Sequence, residues 1–198
     1  MQELKFPLRF SFKITTLSND FTAFDNTGRM VAYVRQKMFK FKEDIEIFSD
    51  ESRSNKLYSI KADRWLDFSA AYSFYDDRGK EFGKIVRKGW KSLWKSEYEI
   101  IDGRGQKQFQ IREENGWVKV MDGLLGEIPI LGLISGYVFN PSYLVKNTRG
   151  EAVIRIKKDP SFWGKEFSIG KLGNMEGEDD DRILLGLMMM ILLERRRG

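Results

Sequence analysis

Apolar and polar positions alternate along several short segments of the chain. Ile45 and Ile47 point to one face while Asp44 and Glu46 point to the other, and Tyr98/Ile100 against Glu97/Glu99 repeats the arrangement. Phe167 and Ile169 form a third such pair. A period of two is the signature of a strand with one buried face. Further strands are predicted at 8–14, 57–60, 109–112, 117–121 and 137–139. One segment breaks this rhythm. From Ile183 to Leu193 every residue is apolar or glycine, so a helix there has no polar face and must be enclosed by protein or lipid. At 1.5 Å per residue that run spans roughly 17 Å, short of the about 30 Å hydrocarbon core of a bilayer. Enclosure by protein is expected, with the helix over about 181–194. Asp179, Asp180 and Asp181 precede it and Arg195, Arg196 and Arg197 follow, which suits the partial charges of the two helix ends.

The strand-like segments recur as a unit. Asp25-Asn26-Thr27-Gly28, Asp76-Asp77-Arg78-Gly79 and Asn147-Thr148-Arg149-Gly150 each open a strand. A basic stretch follows each strand, and then an aromatic, an acid and an Ile at nearly constant spacing. Asp102-Gly103-Arg104-Gly105 is a further turn of this kind. Asp or Asn first and Gly fourth is the preference of a type I turn that leads into a glycine bulge. About a dozen short strands separated by such turns predict a mainly β fold: a closed, about twelve-stranded barrel of repeated hairpins in one domain, 1–198. A barrel that wide cannot be filled by its own side chains. The apolar C-terminal helix is the object expected to fill it.

Composition removes several kinds of chemistry. With no Cys and no His, the chain has no disulfide, no Cys/His zinc site, no Cys nucleophile and no Ser-His triad. Many carboxylates are present, but nothing singles out two as an acid/base pair, so no catalytic residue is named and a non-enzymatic protein is expected. The opening Met1-Gln2-Glu3-Leu4-Lys5 begins no apolar signal stretch, so the expected location is cytoplasmic, with peripheral contact to a membrane. The net charge of +5 hides an asymmetry. Glu176, Glu178, Asp179, Asp180 and Asp181 crowd five negative charges into one short segment, which leaves the rest of the chain at +10 by subtraction. A basic body favours anionic partners such as phosphates, acidic lipid or nucleic acid; alternatively, the surplus only maintains solubility.

The basic stretches are the candidate binding residues. They comprise Arg35, Lys37, Lys40 and Lys42; Lys84, Arg87, Lys88, Lys91 and Lys95; and Arg155, Lys157 and Lys158. Phe39, Trp90, Trp94, Phe162 and Trp163 are interleaved with them and could rest on lipid headgroups or stack on bases. Arg87, Lys88 and Lys91, with Lys37 and Lys40, could form one phosphate-facing patch. The competing reading is a solvated outer strand face. Glu178, Asp179 and Asp180 could hold Ca²⁺, since hard cations take several carboxylate oxygens, or they could serve only as helix cap and dipole complement. The apolar stretch 124–138 is too short and too broken by Pro129 and glycines for a membrane span, and reads as inner strands.

The repeated Asp-x-x-Gly hairpins, the strand Tyr98-Glu99-Ile100-Ile101-Asp102 leading to Gly105, and the acidic segment before an apolar helix resemble the Tubby C-terminal-like superfamily. The phospholipid scramblase and LURP-one-related branches are the nearest. The resemblance covers about 21–194 and implies a closed twelve-stranded barrel around a C-terminal helix. In tubby-like proteins a basic surface binds phosphoinositide headgroups, so the resemblance implies an anionic lipid partner. In scramblases a proposed Ca²⁺ segment precedes the same helix. A nucleic-acid-binding or regulatory protein using the same basic face is the alternative. A carrier with a small-molecule ligand in the lumen is a third reading, disfavoured because the helix would occupy that space.

Overall fold

The computed structural model of the chain describes residues 4–13, 20–36, 44–63, 70–88, 97–114, 142–159, 166–174 and 179–195. Twelve strands close into one antiparallel barrel: β1 (Leu8–Phe12), β2 (Phe21–Phe24), β3 (Met30–Gln36), β4 (Asp44–Phe48), β5 (Lys56–Ala62), β6 (Ala71–Tyr75), β7 (Glu81–Lys88), β8 (Glu97–Asp102), β9 (Lys107–Glu113), β10 (Ser142–Asn147), β11 (Ala152–Asp159) and β12 (Glu166–Lys171). Each strand pairs with its neighbours in sequence, and β1 pairs with β12 to close the ring. Closure leaves no sheet edge to template aggregation. Helix α1 (Asp179–Arg195) follows β12. The expected strands 117–121 and 137–139 and the apolar stretch 124–138 lie outside the described residues.

The turns show why the sequence folds this way locally. In all four Asp/Asn-x-x-Gly turns the fourth residue is a glycine at φ between 79 and 82°, a left-handed conformation that costs glycine nothing. Its amide donates to the carbonyl of the first residue at 3.0–3.1 Å in each case. The side-chain Oδ1 of Asp25, Asp76, Asp102 and Asn147 accepts two further backbone amides of the same turn. One side-chain oxygen is enough for this, and Asn147 therefore substitutes for Asp. The strand pairing shifts by one residue next to every such turn, as a glycine bulge requires. The β4–β5 hairpin uses the same device without glycine. Arg53 takes φ 60° and its amide reaches Asp50 O, while Ser52 donates to Asp50 Oδ1. Sequence reading misses this turn because its fourth residue is not Gly.

These five turns lie at one end of the barrel. Odd-numbered strands from β3 onward run away from this turn end toward the opposite rim. Helix α1 starts at the turn end, where Tyr58 at the start of β5 donates to Asp181 at 2.7 Å. It finishes at the far rim, where Tyr98 and Tyr143, from the starts of β8 and β10, donate to Glu194. Between these two polar clasps, nine side chains of α1 from Ile183 to Leu192 are at most 1 % exposed. Inward residues of every strand join them in one buried cluster, among them Ile45, Ile60, Phe74, Ile85, Ile100, Ile111, Val145, Ile156 and Ile169. At about 1.5–3 kcal/mol for each large apolar side chain, the helix alone contributes roughly 14–27 kcal/mol of burial.

The helix is off-centre. Its backbone lies nearest β6, β7 and β8, and glycines permit the approach. A Cβ on Gly186 would lie 2.6 Å from Ile100 Cδ1, and one on Gly83 would lie 2.8 Å from the Ile101 carbonyl oxygen and 2.9 Å from Arg182 Cδ. On the strands away from this contact, large rings occupy the lumen. Phe10, Phe12, Phe21 and Phe167 from β1, β2 and β12 stack with centroids 4.8–6.1 Å apart. None of the described helices is long and apolar enough to cross a membrane.

Two predictions follow from this packing. Deleting the chain from Asp181 onward, or introducing Leu187→Asp, removes cooperative unfolding, because the first empties the lumen and the second buries an unpaired charge. A soluble truncated protein that melts like the parent would contradict the packing. Gly83→Ala destabilises by about 1–3 kcal/mol in urea titration, since a backbone carbonyl blocks the new methyl. Gly186→Ala meets only the movable end of Ile100, so adding Ile100→Val, which removes Cδ1, recovers its loss; the about 1 kcal/mol helix preference of Ala over Gly then helps. A silent Gly83→Ala would show that the approach is looser than the geometry states.

Candidate anion-binding rim

The repeats seen in the sequence occupy equivalent places in the barrel. Val34 pairs with Ile47 and Gln36 with Ile45; Ile85 pairs with Ile100 and Arg87 with Tyr98; Ile156 pairs with Ile169 and Lys158 with Phe167. The three pairs of strands therefore share one register. β3, β7 and β11 are each four strands apart around the ring, so the barrel has approximate threefold internal symmetry, with β1 and β2 completing the third unit. The basic stretches begin where these three strands end, and all three strands end at the far rim beside the C-terminus of α1.

Alternation along each strand sorts the candidate residues into two sets. Arg35 on β3 and Lys157 on β11 are repeat-equivalent and face outward. Arg87 and Lys158 are repeat-equivalent and fall in the inward register, opposite the core residues Tyr98 and Phe167, at the mouth of the lumen. Gln36 is the corresponding residue of the first unit. Three strands separate Arg35 from Arg87, so the rim does not gather these two into one cluster. Lys37, Lys40, Lys91, Lys42 and Lys95, and the aromatics Phe39, Trp90, Trp94, Phe162 and Trp163, lie outside the described residues.

Partners differ among the cations. Lys88 pairs with Glu99 at 2.9 Å, and Lys107 pairs with the same carboxylate at 3.0 Å. Burial disfavours the charge on Glu99, but these two ammonium groups outweigh it and hold the carboxyl below its usual range. Arg155 pairs with Glu114 at 3.0 Å. Arg35, Arg87 and Lys157, by contrast, form no ion pair or side-chain hydrogen bond with another described residue. Each repeat thus presents a cation of this kind at the same end, and the first repeat adds Lys61 near the end of β5, whose ammonium lies 5.0 Å from the centroid of the Tyr75 ring.

In the last turn of α1, at that end, sits Glu194. A carboxylate in the last turn of a helix opposes the helix dipole, and the two phenols of Tyr98 and Tyr143 compensate by donating to it. Burial and then the Glu194 charge push the Tyr143 hydroxyl above its ordinary range, which keeps it a neutral donor. At the turn end, burial and then the bond to Asp181 do the same for Tyr58. The Tyr98, Tyr143 and Tyr58 contacts were not read from the sequence. An aromatic at the first inward position of a strand, opposite an acid at the end of an apolar helix, is the signal that could have found the first two.

The candidate cation ligands are only partly in view. Glu178 and the side chain of Asp179 lie outside the described residues. Asp180 lies in the first turn of the helix at the turn end, beside Leu4, Phe6, Leu8 and Ile183. Among the described residues no group of three potential ligands comes together.

The comparisons with known proteins now bear on the whole arrangement. No curated protein and no solved structure matches the chain significantly. The sequence profile of one family, described as LURP-one-related, matches residues 30–184, from the start of β3 into the helix. The matched span contains β3 to β12, the far-rim cations and the beginning of the enclosed helix, and the chain belongs to the LURP-one-related family.

Proposed function

We propose that this LURP-one-related protein is a non-enzymatic binding module that docks on anionic, phosphorylated lipid headgroups at a membrane surface through the far rim of its barrel. The observation that carries this reading is the placement of Arg35, Arg87 and Lys157 at one end of the barrel, one per repeat and none neutralised by a described carboxylate. The acidic residues Asp180 and Asp181 sit at the opposite end, where α1 begins. The basic balance of the chain supports the same partner. The tubby-like resemblance adds phosphorylated lipid as the headgroup, because a basic surface of this kind serves that purpose in tubby-like proteins.

The test is vesicle co-sedimentation at low and at physiological salt, run beside single- and double-stranded nucleic acid. The protein is expected to bind phosphatidylserine-containing vesicles and not pure phosphatidylcholine, and to weaken steeply as salt rises, since exposed charges are screened beyond about 8–10 Å. Arg87→Glu combined with Lys157→Glu abolishes vesicle binding while shifting stability by no more than about 0.5 kcal/mol for each surface change. Wild-type protein that ignores acidic vesicles at low salt overturns the lipid reading. Tighter binding to nucleic acid than to vesicles transfers the same rim to that partner.

A further inference from the structure

Resting on the lipid reading, we propose that docking is a three-point contact, one point per repeat, which stands the barrel axis along the membrane normal and requires a surface of anionic headgroups instead of one. Strand register sets the heights of the three cations. The strand pairs β3–β4, β7–β8 and β11–β12 align residue for residue, so a residue near the end of β3 has counterparts at the same height on β7 and β11. Arg35 and Lys157 are such counterparts, and Arg87 is offset by a single residue. Each is four strands from the next around a ring of twelve.

Ring dimensions then set the spacing. Strands about 4.8 Å apart and tilted by about 40° give a twelve-stranded barrel a radius of roughly 12 Å. Positions a third of the way around are therefore roughly 20 Å from each other on the same geometry. That distance is far larger than one phosphorylated headgroup, so no single soluble headgroup can bridge two of the three cations. A plane of headgroups can meet all three together. Three points also define an orientation, and points at one height on a barrel define a plane across its axis. Asp180 and Asp181 then face away from the surface, which removes their repulsion. Contacts made in this way add as linked sites do, so weak individual attractions give a useful combined affinity.

The experiment uses the full chain and mixed phosphatidylcholine–phosphatidylserine vesicles. Arg35→Gln, Arg87→Gln and Lys157→Gln are each expected to weaken binding about fivefold, the effect of one cation near an anionic surface, and the triple variant about a hundredfold. Lys80→Gln removes the same charge from an exposed position at the turn end and is expected to leave binding unchanged. Free inositol trisphosphate is expected not to displace the protein from vesicles. Thermal melts of every variant confirm that the fold is retained.

Loss of binding in one variant with no change in the other two would overturn the three-point contact in favour of a single pocket. So would full displacement by inositol trisphosphate. Equal weakening by Lys80→Gln would reduce the attraction to net charge without geometry. These outcomes leave the lipid reading in place. Failure of the unaltered protein to bind the vesicles at low salt removes that reading first, and the three-point contact with it.

Discussion

Burial of one all-apolar helix in the lumen of the barrel is the constraint on which the rest of the structure depends. A ring of twelve strands encloses more space than its inward side chains alone can fill, and an apolar helix without a polar face cannot stand in water. Each element solves the other's problem. The fit is asymmetric: Gly83 and Gly186 let the helix approach β7 and β8 closely, while phenylalanines of β1, β2 and β12 fill lumen elsewhere. Close packing of this kind tolerates few changes in volume. The polar clasps at Asp181 and Glu194 set the depth of the helix, because one step along its axis would carry an acid into the apolar lumen.

A barrel made rigid in this way can carry its chemistry on its ends. The turn end is occupied by tight hairpins whose Asp and Asn side chains are committed to their own backbone amides. The far rim is where β3, β7 and β11 deliver cations. Internal repetition gives the rim its threefold arrangement without any separate device, since the register that aligns the core residues also aligns the rim residues. Pairing of Lys88 and Arg155 with Glu99 and Glu114 separates cations that serve the wall of the barrel from those left facing outward or into the mouth.

Much of the architecture was legible in the sequence, for identifiable reasons. Glycine at the fourth turn position marks four hairpins because only glycine takes φ near +80° without strain. The alternation at 45/47, 98/100 and 167/169 names core residues that are all buried. The run from Ile183 to Leu193 declares its enclosure by lacking polar residues. The hairpin at Asp50 escaped because Arg53 takes the left-handed conformation in place of glycine. At the rim, β3 and β7 end near Arg35 and Arg87. Position on a closed ring depends on strand count and closure, which spacing alone does not supply, and the structure sets β3 and β7 a third of the ring apart. Pairing also divides neighbours that composition treats alike, as Arg87 and Lys88 show. The tyrosine–acid clasps link residues 51 to 123 positions apart, beyond the reach of any local pattern.

Native-state hydrogen exchange of the amides from Leu184 to Leu192 tests the mutual dependence of helix and barrel most directly. If the helix is the core of the barrel, these amides exchange only when the whole protein unfolds, with the same free energy and denaturant dependence as the amides of β7 and β8. Helix amides that exchange through a lower-energy opening while the strands stay protected would contradict the account, because the barrel would then hold together without its filling.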